Sequence, residues 1–221
     1  ATITAANETL VNVGDDSATL NTSIVVAAFG TAGNDKIRIR PTAGPDGPVN
    51  VNRVVKGKEV LIRTFAVGEQ IVVFGLAGND NIKVIGRLNR SVIVFGNEGK
   101  DSIYGGDGPD ELDGGPGKDV LRGNAGNDLL RGGDDNDKLV GSTGNDILVA
   151  EGGKDALIGG TGFDLLIGGA GVDSLKGQFT GQNIFIGGTT AHDANNAALR
   201  QILAEWSNGT PIDNRIATLM A

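Results

Sequence analysis

Residues 96–176 read GNEGKDSIY, GGDGPDELD, GGPGKDVLR, GNAGNDLLR, GGDDNDKLV, GSTGNDILV, AEGGKDALI, GGTGFDLLI and GGAGVDSLK, nine copies of nine residues with no slip in spacing. The sixth letter is always aspartate: Asp101, Asp110, Asp119, Asp128, Asp137, Asp146, Asp155, Asp164 and Asp173. The eighth is always a branched aliphatic: Ile103, Leu112, Leu121, Leu130, Leu139, Leu148, Leu157, Leu166 and Leu175. Chance register of eight further aspartates has odds on the order of one in 10⁸, so the period must be explained before anything else.

Glycines at the first, second and fourth letters let the backbone take positive φ and approach a neighbouring turn closely. They make a loop. The three residues after the aspartate form a short extended piece whose middle side chain points to one face and whose flanking side chains point to the other. Two copies make one turn of a flattened coil, copies two apart stack, and the eighth-letter residues fill a narrow core between two parallel sheets. The expectation is an all-β solenoid.

Stacking places aspartates eighteen residues apart over one another. Like charges ~5 Å apart repel by several kcal/mol at an intermediate dielectric, so the stack needs cations between its turns. Carboxylate plus main-chain carbonyl oxygen is the ligand set of a hard cation in flexible six-to-eight-fold coordination, which points to calcium (Ca2+), several ions between stacked turns. With no cysteine and one histidine, a transition metal finds few ligands.

These nonapeptides resemble the GGxGxDxUx repeat of the RTX family, the hemolysin-type calcium-binding repeats. The resemblance implies a right-handed parallel β-roll (β-solenoid) with each ion between turns. The aspartate and the first- and third-letter carbonyls come from one loop; the aspartate and the second- and fourth-letter carbonyls come from the loop one turn later. Carried onto this chain, one edge would use Gly105, Asp107 and Asp110 with Asn124, Gly126 and Asp128. It would continue with Gly123, Ala125 and Asp128 facing Ser142, Gly144 and Asp146, then Gly141, Thr143 and Asp146 facing Gly160, Gly162 and Asp164. The other edge would use Gly132, Asp134 and Asp137 with Glu151, Gly153 and Asp155, and Gly114 and Pro116 with Asp119. Asp101, Asp173 and, in degenerate copies, Asp80 and Asp35 complete the metal-ligand set. Asn97, Asn124, Ser142 and Glu151 replace the second glycine, and Asp135 replaces the fourth.

Charge sits where the ions are expected. Residues 1–99 hold 10 basic and 9 acidic side chains, 100–176 hold 7 and 15, and 177–221 hold 2 and 3, so the net −8 belongs to the repeats. So acidic and glycine-rich a segment buries too little apolar surface to order itself without cations, and folding coupled to calcium follows. Weak calcium sites fill at extracellular calcium, ~10⁻³ M, and stand empty in cytosol. The location expected is extracellular, secreted or at the cell surface, and the absence of cysteine is compatible with export without oxidative folding. No apolar run is long enough to cross a bilayer, no signal peptide is evident, and the start at Ala1 fits a processed form or an excerpt.

Outward from the repeats, the chain divides into 1–94, an irregular and wider β-solenoid; 95–188, the β-roll; and 189–221, a short α-helical cap. Residues 1–28 alternate as strands. The phrase Phe-Gly-x-x-Gly-x-Asp stands at Phe29–Asp35, Phe74–Asp80 and Phe95–Asp101. The 21-residue step from Asp80 to Asp101 predicts stacking, while the 45 residues after Asp35 leave room for an excursion through Pro41–Pro48 and a hairpin at Lys56-Gly57-Lys58-Glu59. Gly86–Arg90 holds no aspartate, so this part should carry calcium on one edge only, with Arg87 and Arg90 solvated. Arg38, Arg40, Arg53, Lys56, Lys58 and Arg63 read as edge-strand protection.

The outward side chains of one sheet are mixed; those of the other turn apolar toward the C-terminal end, through Leu129, Ile147, Val149, Leu165 and Ile167. Such a stripe needs a cover. Leu199, Ile202, Leu203 and Trp206 fall at helical spacing and supply one, over that stripe or over the open end of the coil. The rival expectation is self-association of the stripe and Trp206 into fibres or surface assemblies.

Catalysis finds little footing, and an enzyme in its own right, a polysaccharide-acting β-solenoid, is the weakest of the readings. The one histidine, His192, lies after the repeats, and neither a G-x-S-x-G nor a phosphate-binding glycine loop occurs. The chain reads as a calcium-binding structural protein of a surface, matrix or fibre, and not as an enzyme. The alternative is the repeat and secretion module of a larger exported hydrolase or adhesin. Aromatics are too sparse for nucleic-acid binding, and no transmembrane segment is expected.

Overall fold

The computed structural model describes residues 27–177, 183–188, 199–200 and 203–204. It is an all-β parallel solenoid of about six turns built from two facing sheets. Sheet 1 stacks Ala28–Phe29, Ile71–Ala77, Val92–Glu98, Glu111–Asp113, Leu129–Asp134, Ile147–Gly153, Leu165–Ile167 and Ile184–Ile186, with Ala170–Gly171 paired to its sixth strand. Sheet 2 runs Ser174–Lys176, Ala156–Thr161, Lys138–Thr143, Val120–Ala125, Ser102–Tyr104, Asn81–Val84 and Lys36–Pro41, and ends in Val49–Val55 and Lys58–Phe65.

Register follows the nonapeptide. Leu121 lies between Ile103 and Leu139, and Leu130 between Leu112 and Leu148, each one full turn apart. Ile37, Ile82, Ile103, Leu121, Leu139 and Leu157 of sheet 2 meet Val73, Val94, Leu112, Leu130, Leu148 and Leu166 of sheet 1 in one continuous buried core. Each such side chain contributes about 1.5–3 kcal/mol by leaving water. A strand only three to seven residues long has little else to hold it, which is why the eighth letter admits nothing polar.

The wider N-terminal coil is built differently. After Lys36–Pro41 the chain folds back antiparallel through Val49–Val55 and Lys58–Phe65, joined by Lys56 (φ 49°) and Gly57 (φ 78°) in the two-residue turn expected of a twisted hairpin. Phe65, Val49, Val51 and Leu88 are fully buried, so this region has a broader core than the repeats. Phe29, Phe74 and Phe95 stack on the outer face at centroid spacings of 5.2 and 4.9 Å. Lys58–Phe65 ends sheet 2 among the described residues, and charge does guard it: Arg40 pairs with Glu59 at 2.8 Å and Arg63 approaches Glu69 at 3.8 Å. Arg87 is exposed, as expected. Arg90 is not simply solvated; it donates to the carbonyls of Gly47 (3.0 Å) and Glu69, pinning the excursion to the coil. Both sheets run uninterrupted across position 95: Val92–Glu98 straddles it in sheet 1, and Asn81–Val84 pairs with Ser102–Tyr104 in sheet 2.

On the outside of sheet 1, Leu129, Ile147, Val149, Leu165 and Ile167 are buried beneath Leu199 and Leu203, which are helical. Arg200 reaches Glu111 at 3.9 Å from the same segment. The stripe is therefore covered within the chain. Residues 1–26, Trp206 and His192 lie outside the described residues. No helix among the described residues is long and apolar enough to cross a membrane.

Candidate metal centre

The repeat aspartates form two ladders, one on each edge of the coil. On the first, the main-chain N–H of Asp35 donates to Oδ1 of Asp80 (2.7 Å), Asp80 to Asp101 (2.7 Å), Asp101 to Asp119 (2.7 Å), Asp119 to Asp137 (2.8 Å), Asp137 to Asp155 (2.7 Å) and Asp155 to Asp173 (3.0 Å). The second begins with Val92 donating to Asp110 (2.9 Å) and continues through Asp128, Asp146 and Asp164 to Asn183. The step from Asp80 to Asp101 thus stacks despite its extra residues, and among the described residues the second ladder has no aspartate rung before Asp110.

Each hydrogen bond uses one carboxylate oxygen and leaves the other inside the loop stack. Oδ2 of Asp80, Asp101, Asp119, Asp128, Asp137, Asp146, Asp155, Asp164 and Asp173 is buried without a hydrogen-bond partner. A row of buried acceptors with no donors is costly on its own terms, about 1–3 kcal/mol for each and more when charged. Asp110 differs, since its Oδ2 accepts from Gly106 N–H at 2.6 Å.

Burial also resists ionisation. Desolvation is the largest cause at every ladder aspartate with a resolved shift, partly offset by the main-chain hydrogen bond and reinforced by neighbouring carboxylates. It pushes Asp101 up to about 6, Asp110, Asp119 and Asp146 to about 7, and Asp128 and Asp137 to about 8. The stack asks for a proton or a metal ion at each rung.

Glycine chemistry shapes the space for the ion. A Cβ on Gly105 would stand 2.3 Å from Asp110 Oδ2 and 2.6 Å from the Gly123 carbonyl oxygen one turn later; on Gly114 and Gly141 it would meet Asp119 or Asp146 and the Gly132 or Gly159 oxygen in the same way. First-letter glycines do not take positive φ, contrary to expectation; what they provide is this close approach of carboxylate and carbonyl. Positive φ belongs to the second letter, including Asn97, Asn124, Ser142 and Glu151, and to the fourth, where Asp135 adopts 75°, except in the second copy, where neither Gly106 nor Gly108 takes it.

Among the described residues no three Asp, Glu, His or Cys side chains converge. The ladders offer two carboxylates per gap, so a six-to-eight-coordinate ion must draw its other ligands from main-chain carbonyls. The expected carbonyl set lies in these loops, although Pro116, Asp134, Thr143 and Gly132 each already accept one main-chain N–H from the turn before and keep only a second lone pair. The side chain of Glu151 turns away to Arg131 at 3.1 Å.

A third ladder, which the nonapeptide pattern does not predict, is made of asparagines. Asn34, Asn79, Asn127, Asn136 and Asn145, at the fifth letter, accept through Oδ1 from the fifth-letter N–H one turn later: Asn79, Lys100, Asn145, Lys154 and Phe163. The recurrent Gly-Asn-Asp at 33–35, 78–80, 126–128 and 144–146 was the signal.

The fold and edges define a parallel β-solenoid whose turns are joined by buried carboxylates with unpaired oxygens. Residues 95–179 match the RTX calcium-binding nonapeptide repeat family, in four copies at 95–130, 113–148, 131–166 and 149–179. No curated protein and no solved structure matches the chain. The donor set of hard, buried oxygens fits the calcium that this repeat binds between turns. Asp119 with Asp137, and Asp128 with Asp146, are among the pairs that would hold it.

Proposed function

We propose that this is an extracellular structural protein of a cell surface or matrix whose coil orders when calcium enters the aspartate ladders. The row of buried, unpartnered Oδ2 atoms carries the reading. Calcium would supply the charge that the loops lack, and the loops would supply oxygens already placed to receive it. The repeats belong to a class typical of exported proteins, where calcium is plentiful. The role is binding and scaffolding rather than catalysis, since the carboxylates that abound in the sequence are committed to the ladders. Covering of the apolar stripe by Leu199 and Leu203 speaks for a self-contained unit on that face.

Circular dichroism and calorimetric titration test this. Expected is weak β signal in chelator, recovery in millimolar calcium, and uptake of several ions. Identical spectra in both conditions, with no calcium bound, would remove the proposal.

A further inference from the structure

We propose that the cation ladder runs one turn beyond the repeats, through a divalent-cation site between the Gly75–Asp80 and Gly96–Asp101 loops. It stops there, because at Asp35 the chain supplies hydrogen bonds and a guanidinium in place of an ion. The inference rests on the reading of the ladder oxygens as calcium ligands and extends it to a part of the chain that the repeat family does not match.

Asp80 is 2% exposed and Asp101 1%, and Oδ2 of each has no partner. Where a Cβ of Gly75 would stand, Asp80 Oδ2 is 2.4 Å away and the Gly96 carbonyl oxygen 2.7 Å. Gly96 in its turn shows 2.3 Å to Asp101 Oδ2 and 2.6 Å to the Gly114 oxygen, so the gap above Asp80 is built like the gap above Asp101 inside the repeats. The backbones agree as well. Leu76 (φ 77°) pairs in register with Asn97 (φ 70°), and Gly78 and Gly99 take φ of 120° and 140°. A leucine held in left-handed backbone has no local reason to be there. It keeps the loop in the shape that orients its carbonyls as the repeats do.

In the gaps above Asp80, Asp101 and Asp119 the unsatisfied oxygen is Oδ2 of the aspartate on the earlier turn, beside the first-letter carbonyl of the next. One turn before Asp80 that oxygen belongs to Asp35, and it is satisfied: Thr31 donates both its N–H and, at 2.8 Å, its hydroxyl. Arg53 Nε stands 3.8 Å from Asp35 Oδ1, bringing positive charge from the hairpin. Asp110, at the head of the other ladder, accepts one such bond; Asp35 accepts two and has the Arg53 guanidinium beside it. The hairpin thus closes the ladder that calcium builds.

Calcium titration of the full chain by calorimetry and native mass spectrometry, for wild type, Asp80→Asn, Asp35→Asn and Asp128→Asn, tests the assignment. Asp80→Asn should bind one ion fewer than wild type at millimolar calcium and Asp128→Asn, which stands between two gaps, at least one fewer, while Asp35→Asn should keep the wild-type count with affinity within about twofold. A wild-type count in Asp80→Asn, or a lost ion in Asp35→Asn, overturns it. Should Asp80→Asn fail to fold, terbium bound to wild-type crystals decides: anomalous density between Asp80 and Asp101 and none between Asp35 and Asp80 supports the site, and any other pattern at those two gaps removes it. Loss of ions in Asp128→Asn with none at Asp80 sinks this inference alone. A wild-type chain that binds no calcium sinks the underlying reading with it.

Discussion

The two halves of the coil solve the same problem with different materials. From Asp101 to Ile167 each half-turn offers one buried aliphatic and one buried carboxylate, and Oδ2 atoms stand unpaired along both edges. From Lys36 to Arg90 the excursion broadens the core with Phe65, Val49, Val51 and Leu88, and its charges are matched by protein: Arg40 with Glu59, Arg53 with Asp35, Arg90 with two carbonyls. The lesson is that a solenoid can be held by side chains or by ions. This one passes from the first means to the second along its length, with both sheets unbroken.

Chelation should separate the halves most sharply. In excess chelator, hydrogen exchange across 101–176 should accelerate by orders of magnitude while 36–41 and 49–65 keep their protection. Equal loss in both would show that the antiparallel excursion has no stability of its own.

The pH response should change sign with calcium. Ladder carboxylates pushed to about 6 to 8 bind more protons folded than unfolded, so the metal-free repeats are most stable near and below pH 4. That stability is lost as pH rises through 6 to 8. Calcium needs the ionised form, so calcium-loaded protein should weaken on acidification over the same window. Melting curves at pH 5 and pH 8, with and without calcium, would show it; parallel shifts in both would contradict the ladder.

Backbone substitutions grade the comparison further. A Cβ on Gly144 (φ 129°) would fall 1.8 Å from the Gly126 oxygen, so Gly144→Ala should cost more than about 3 kcal/mol or abolish the calcium-induced fold. Gly86 (φ 92°), in the wide coil, meets nothing within 4 Å, and Gly86→Ala should cost only about 1 kcal/mol in chemical denaturation. Leu139→Ala, removing a fully buried core member, should fall between, at about 2–5 kcal/mol. Smallest of all, Arg40→Ala breaks a pair whose side chains are 45% and 37% exposed and should cost under about 1 kcal/mol.

Much of this was legible in the chain because a nine-letter period couples local geometry to stacking. Leu121 and Leu139 had to superpose once the loops repeated, and the ladder of Asp101, Asp119 and Asp137 followed. The apolar stripe announced its cover, and Leu199 and Leu203 lie on it. Less legible was the division of labour among glycines, since spacing cannot tell a residue that needs positive φ from one that needs room beside a carboxylate. Gly114 needs room; Gly117 (φ 131°) needs both. The asparagine ladder was visible as text, but its hydrogen bonds required knowing which N–H lay one turn away.

By itself the sequence determined the period, the side each residue faces and the edges on which charge accumulates, because all three are set by chain geometry within one or two turns. Only the tertiary structure decided which oxygen of each carboxylate is spent on the neighbouring turn and which is left over. It alone put Arg53 against Asp35, since partners brought together across an irregular excursion have no spacing from which they could be read.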